Sequence, residues 1–248
     1  MLSAMGLLRD LYRRWLLYRH RPPHWQLRPG TLDARLFRHV VIENEYQLPP
    51  LGRSAVCLDI GAHIGSFALA ALRRGAGKVL CVEPEPNNLA LLRHNLAPYP
   101  QVEILAAAVW PQAGTVRLHN PVDLRNTGAC QVQAFALTTD QAASGSAVVS
   151  VPAVALDDLL LRLGQVQLVK LDCEGAEWPL LEAATQWQRV QAICGEYHLP
   201  PLVPTHRLAS PEGLRQRLQE LGFRVRTETA RGTRLPVGLF FAKREATE

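Results

Sequence analysis

From Ala55 onward the chain alternates short apolar runs with stretches of helical periodicity, and this rhythm constrains its fold more than any other feature. Ala55–Ile60, Lys78–Val82, Val102–Val109, Gln167–Leu171 and Val190–Gly195 are strand-length and mostly apolar, the pattern of strands buried on both faces. Between and around them, Ile64–Arg74, Pro86–Leu96, Leu156–Leu163 and Glu177–Ala184 place apolar residues at helical spacing, and a further helix is predicted over 211–221. Thr115–His119, on the solvent side, and Val148–Ala155 also read as extended. Phe223–Glu228 and Val237–Lys243 read as a terminal antiparallel hairpin. Strands alternating with helices predict an α/β fold, a mostly parallel sheet with helices on both faces. Ligands of such sheets bind beyond the carboxyl ends of the strands, where strand order reverses. The residues that follow each strand are therefore the ones to read for chemistry.

The totals fit one ordinary globular domain: 248 residues, 48% hydrophobic and 20% charged. No apolar run approaches the roughly 18–20 residues that span a bilayer. The formal charge of +5 is unevenly placed. Residues 1–40 carry eight arginines against Asp10 and Asp33, a net +6, so the rest of the chain is about neutral. A basic surface spread over the fold would favour nucleic acid; a local basic segment points less far, and nucleic acid is not the expected partner. Residues 4–19 predict an amphipathic helix with a basic face. It either packs on the domain as a lid or rests on an anionic membrane surface. Arg21-Pro22-Pro23 ends it, and 24–53 read as an irregular lead-in with a short helix at 32–43. Pro49-Pro50 and Gly52 then separate a basic helical arm or lid, 1–50, from the main domain, 51–248. Residues 120–147 are polar and poorly patterned and predict a long loop or hairpin over one end of the sheet, with Arg125 and Asn126 placed to cover a substrate. Arg9, Asp10, Arg13 and Arg14 interrupt any secretory h-region. Five cysteines, an odd number without a Cys-x-x-Cys, read as buried small hydrophobes in a reducing compartment. The expected location is the cytoplasm.

After the first strand comes Asp59-Ile60-Gly61-Ala62-His63-Ile64-Gly65. Small residues there let the turn close and a ligand approach the backbone. Glu83 ends the second strand 22 positions past Gly61, where an acid can accept hydrogen bonds from a ribose diol. A dinucleotide fingerprint would need a middle glycine and a pyrophosphate at the helix start. Here His63 stands in the turn. A carboxylate such as Asp59 would oppose a diphosphate but suits the ammonium of an amino acid. That combination favours S-adenosylmethionine, which carries an ammonium and a ribose but no phosphate, over NAD. Asp59, Gly61, His63, Gly65 and Glu83 are the expected cofactor residues.

Further acids follow two later strands: Asp172, Glu174 and Glu177 after one, Glu196 and His198 after the other. Alternate residues of an extended segment share a face, so Glu196 and His198 can point together. Three readings stand. Glu196 or His198, with Asp172, supplies a general base. Asp172, Glu174, Glu196 and His198 hold a hard divalent ion. Or the acids are structural, with Glu174 or Glu177 capping a helix start and Lys170 paired to a carboxylate. Trp110 and Trp178 flank strand ends and either wall the substrate pocket or pack the core. His20, His24, His39, His94, His119 and His206 read as surface or packing residues.

Taken in order, Leu58–Gly65, Val82-Glu83-Pro84, Ala155-Leu156-Asp157-Asp158, Lys170-Leu171-Asp172-Cys173-Glu174-Gly175-Ala176-Glu177 and Glu196 resemble the FkbM family of methyltransferases. The resemblance covers about residues 55–198, with His63 where family members often carry Asn. It implies a Rossmann-like class I methyltransferase sheet and methyl transfer from S-adenosylmethionine, usually to a hydroxyl of a natural product or sugar. The expected acceptor is accordingly a small molecule or glycan. The alternatives are an inactive S-adenosylmethionine-binding regulatory protein and a methyltransferase acting on a macromolecule.

Overall fold

A computed structural model describes residues 4–119, 123, 125–134, 148–229 and 236–245. Helix α1 (Ala4–His20) is followed by α2 (Asp33–Phe37), which runs into a π-helical turn, Arg38–Ile42, over the stretch where one short helix was predicted. The alternating region then supplies β1 (Val56–Ile60), α3 (Ser66–Arg73), β2 (Lys78–Val82), α4 (Pro86–Leu96), β3 (Val102–Leu105), β4 (Ala108–Trp110), β5 (Gly114–His119), β6 (Gln131–Ala134) and β7 (Val148–Ala155). After these come α5 (Leu156–Leu163), β8 (Leu168–Leu171), α6 (Glu177–Ala183), β9 (Ala192–His198), α7 (Pro211–Glu220), β10 (Arg224–Thr229) and β11 (Val237–Lys243).

The main sheet has the order β10-β11-β9-β8-β1-β2-β3. Strands β3, β2, β1, β8 and β9 run parallel, and β11 lies antiparallel between β9 and β10, forming the terminal hairpin that the sequence predicts. The chain moves outward from β1 to β3 and returns to β8 on the other side of β1. The reversal of strand order therefore falls between β1 and β8, which places a ligand crevice beyond Ile60 and Leu171.

Alternation along the strands divides the core in two. Leu58, Ile60, Leu80 and Val82 face α5, α6 and α7 through Leu160, Leu180 and Leu214. Cys57, Val79 and Cys81 face α3 and α4 through Phe67, Leu69 and Leu92. Trp25, Phe37, Tyr46 and Leu48 join this second cluster. The packed body thus begins well before the boundary expected at residue 51, because these side chains cover the α3 side of the sheet.

Val102–Val109 is not one strand. β3 is an edge with β2 as its neighbour, so beyond Leu105 the chain leaves to pair β4 with β7. A second sheet, β4-β7-β5-β6, results, which the sequence reading did not anticipate. Thr115–His119 was expected on the solvent side, yet Val116 and Leu118 are buried there with Val151 and Ala153. In the predicted 120–147 loop, Gln131–Ala134 forms β6 on β5; residues 135–147 lie outside the described residues. β9 runs three residues past its expected end, because β11 pairs with it up to Val237↔His198. That extension carries Glu196 and His198 over the crevice. All five cysteines are free; Cys57, Cys81 and Cys194 are buried as expected, and burial pushes the Cys57 thiol up to about 12, whereas Cys130 and Cys173 are only partly buried.

Candidate active site

Beyond the strand ends lies a cavity of about 390 Å³, lined by residues from β1, β2, β8 and β9 and by the segment from Leu32 to Tyr46. This volume lies within the range of small-molecule sites. The β1 turn forms its floor. Gly61 has φ +75, and a Cβ there would stand 2.1 Å from the carbonyl oxygen of Asp172. The glycine is needed because two strand ends meet at the reversal point. Gly65 starts α3 at φ +95 and packs on Leu92 and Leu96, away from the cavity.

Glu83 is buried at the end of β2. Its Oε2 accepts from the His63 backbone N–H at 2.7 Å and its Oε1 from the Glu85 N–H at 2.9 Å. The Asn88 amide also donates to Oε1 at 3.4 Å, so Oε2 is the oxygen that keeps a lone pair; the carboxylate ties the two turns together and can still accept from a ribose hydroxyl there. Burial pushes its pKa up to about 6. The His63 ring lies 2.9 Å from both the Arg28 guanidinium and the Thr127 hydroxyl. Arg28 also forms a two-pronged pair with Asp33, and Thr127 donates to Asp33 at 2.9 Å. Burial lowers the His63 pKa to about 4, so the ring is neutral. Three segments distant in sequence are thus latched together at the cofactor turn.

Asp59 is completely buried and does not line the cavity. The ammonium expected opposite it comes from the chain itself. In the register Asp59↔Lys170, the Lys170 Nζ stands 3.5 Å from Asp59 and 3.5 Å from Asp172. It also donates to the carbonyls of Ile60 and Gly61. Burial opposes the lysine's charge, but Asp172 and Asp59 outweigh it and hold its pKa raised. Burial pushes Asp59 up to about 6 despite the lysine.

The acids expected at the far end do converge. His198 Nε2 lies 3.4 Å from Glu174 and 3.8 Å from Glu196, while its Nδ1 contacts Glu177 at 2.8 Å. Burial disfavours the imidazolium, but Glu174 and Glu177 more than compensate and raise the His198 pKa well above its usual value. Glu177 also accepts from the Gly175 N–H at 2.7 Å, which fixes the turn, and the Trp178 indole donates to the His198 carbonyl. Glu174 sits at φ +53, a strained conformation for a residue with a side chain, held here beside the cavity. Asp172 accepts from the Tyr46 hydroxyl at 2.8 Å. Burial would raise Asp172, but Lys170, His198 and Tyr46 hold it below the usual range. Glu196 and Glu174 go the other way. Burial, with the charge of Asp172 behind it, pushes Glu196 up to about 8 and Glu174 to about 7. All three carboxylates stay a fifth to a quarter exposed. Asp172, Glu174 and His198 each offer one ligand atom within 4.8 Å of the others.

The structure brings Gly61, His63, Glu83, Asp172, Glu196 and His198 to one cavity and leaves Asp59 and Gly65 beneath or beside it. Trp110 and Trp178 do not line it; Trp178 is core. Of the loop pair, Asn126 lines the cavity, whereas exposed Arg125 pairs with Asp123. His39 lines the cavity too, although it read as a packing histidine. Of the segment expected to form an arm or lid, residues between Leu32 and Tyr46 line the cavity, and no described side chain of α1 does. Tyr46, Arg28, Asp33 and Thr127 gave no signal in the sequence, since each matters through a partner 35 to 126 positions away.

The strand order, the glycine turn at the reversal point and the acid ending β2 define a class I, S-adenosylmethionine-dependent methyltransferase. More narrowly, the chain belongs to the FkbM methyltransferase family, whose domain model matches residues 59–225. Among solved structures, the methyltransferase FkbM of Methylobacillus flagellatus KT is similar at 17% identity with a TM-score of 0.51, over 95% of this chain and 59% of that one. Magnesium protoporphyrin IX methyltransferase of Synechocystis is similar at 14% identity and a TM-score of 0.47, over 99% of both chains. Thermoplasma acidophilum 1320 is similar at 12% identity and a TM-score of 0.48, over 95% of this chain and 98% of that one. Identities this low speak to fold alone. Comparison with curated proteins finds no match.

Proposed function

We propose that the protein transfers the methyl group of S-adenosylmethionine to a hydroxyl oxygen of a small molecule, sugar or glycan, with Glu196 as general base. One observation carries this reading: a cavity-facing carboxylate at the end of β9 whose proton affinity is raised to about 8. A hydroxyl acceptor must lose a proton as its oxygen attacks, and a base works best with a pKa near the operating pH. The bound cofactor supplies an electrophilic methyl on a sulfonium. Glu83 and the Gly61–His63 turn bind and orient it. Glu196 would take the hydroxyl proton as the acceptor oxygen attacks, and a cofactor held by Glu83 and the β1 turn would supply the methyl group and leave as S-adenosylhomocysteine. Asp172, kept ionised by Lys170, and His198, kept protonated by its carboxylates, hold the charge pattern around Glu196.

Calorimetric titration with S-adenosylmethionine and S-adenosylhomocysteine tests the cofactor half. Binding of both is expected, and Glu83→Gln weakens it about tenfold or more, since a hydrogen bond to a charged acceptor contributes ~1.5–3 kcal/mol. A folded protein that binds neither ligand would overturn the reading.

A second reading, a divalent ion on Asp172, Glu174 and His198, is favoured by their spacing and by the Glu177–His198 contact, which resembles the support of a metal-bound imidazole. Against it, the His198 Nε2 that would ligate the ion lies within ion-pair distance of both Glu174, at 3.4 Å, and Glu196, at 3.8 Å. Methyl transfer is accordingly expected to survive extensive dialysis against EDTA. Loss of activity restored by Mg²⁺ or Mn²⁺ would favour the ion instead.

A further inference from the structure

Five of the large exposed hydrophobic side chains lie on α1, at positions 8, 11, 12, 15 and 18, the spacing of a single helix face. Leu8 is 67% exposed, Leu11 53%, Tyr12 59%, Trp15 50% and Tyr18 82%. An amphipathic helix on a globular domain normally turns such a stripe inward. Here the opposite face is seated: Arg13, Leu16, Leu17 and His20 are half-buried, and Leu17 packs on the cluster around Trp25 and Phe37. Arg73 donates to the His20 carbonyl at 2.7 Å and pins the carboxyl end of the helix. The outward stripe is ordered as well. Tyr12 and Trp15 stack at 5.9 Å, and the Arg19 guanidinium lies 5.7 Å from the Trp15 ring. Arg14 and Arg19 are exposed on the same helix.

We propose that α1 is a docking helix for an anionic lipid surface. Leucines and amphipathic aromatic rings suit the boundary between acyl chains and headgroups, and arginines reach from there to lipid phosphates. Charge decides between occupants. α1 carries Arg9, Arg13, Arg14 and Arg19 against Asp10, a net +3, so pairing two copies through this helix would bring like charges together, whereas anionic headgroups neutralise them. No helix among the described residues is long and apolar enough to cross a membrane, so the contact is peripheral. The π-helical turn Arg38–Ile42 touches α1 and also lines the cavity through His39 and Val40. Docking therefore places beside the membrane surface the helix on which one wall of the cavity rests. The inference does not depend on which atom is methylated.

The test is flotation of the full chain with vesicles of phosphatidylcholine alone and of equal parts phosphatidylcholine and phosphatidylglycerol. At least tenfold stronger partitioning onto the anionic vesicles is expected, falling as salt is raised. Leu11→Ser with Trp15→Ser should reduce partitioning about tenfold or more, with the thermal unfolding midpoint lowered only slightly because about half of each side chain already faces solvent. Arg14→Glu with Arg19→Glu should abolish the preference for phosphatidylglycerol. Absence of partitioning, or equal partitioning by the serine and charge-reversed variants, would overturn the proposal. So would a dimer seen by light scattering that the serine substitutions dissolve, since that assigns the stripe to a second copy.

Discussion

Glu196→Gln is expected to lower kcat by about 10²–10⁴-fold, the usual contribution of a positioned general base. Glutamine keeps the size of the side chain and its place opposite Leu239 in the β9–β11 ladder but cannot take a proton. Cofactor affinity, measured by calorimetry, should change by no more than about twofold, because the loss falls on the reaction step. The pH profile supplies an independent check. A base must be deprotonated to act, so for a carboxyl raised to about 8 the rate climbs as pH rises through that value and levels above it. In Glu196→Gln the residual rate should lose this ascending limb. If the variant keeps both rate and limb, the base lies elsewhere, with Glu174, near 7, the next carboxylate to test.

The largest stability effect is expected at Lys170. Lys170→Met keeps the aliphatic length but removes the ammonium between Asp59 and Asp172. Asp172 can turn to the cavity and to Tyr46, whereas Asp59 is fully buried and has no such outlet. Leaving one partner of a buried pair uncompensated costs about 3–5 kcal/mol. For a chain of this size that lowers the melting midpoint on the order of 10 °C. The sign with pH follows from Asp59. Without the lysine its pKa moves further above the ordinary carboxylate value, so the folded variant binds a proton that the unfolded chain releases. The defect should therefore shrink as pH falls and grow as it rises. Asp59→Asn added to Lys170→Met should recover part of the loss. Thermal melts of the three variants across pH decide the matter; a Lys170→Met protein as stable as the parent would show that the pair is not a structural tie.

What was legible in the sequence is what depends on local pattern. The five parallel strands show as apolar runs, and Gly61, Glu83, Asp172 and Glu196 each follow or end one, so the fold brings them to a common edge. His198 joined them by the period-two rule alone. The failures have a different character. Asp59 read as a ligand for an external ammonium, and its pairing with Lys170 stayed hidden because it lies across a register that no local pattern reveals. The break at Leu105 was hidden because an apolar run looks the same whether one sheet or two receive it. Trp178 read equally as pocket wall or core, and only the position of the His198 carbonyl chose core.

The lining of the cavity also divides by origin. The acids, the glycine turn and the lysine come from strand ends inside the family match, whereas Leu32, Arg35, Leu36, His39, Val40, Glu45 and Tyr46 come from before it. The reactive half is thus tied to a sheet that tolerates little change, while the facing half is a short helical segment joined to that sheet mainly through Trp25, Phe37, Tyr46 and Leu48. Exchange of this segment, with Glu45, Tyr46 and the Tyr46 bond to Asp172 kept, would remodel the facing wall of the cavity while the acids at the strand ends keep their surroundings. A scaffold divided in this way can diversify its substrates by grafting a leader while its chemistry is inherited unchanged.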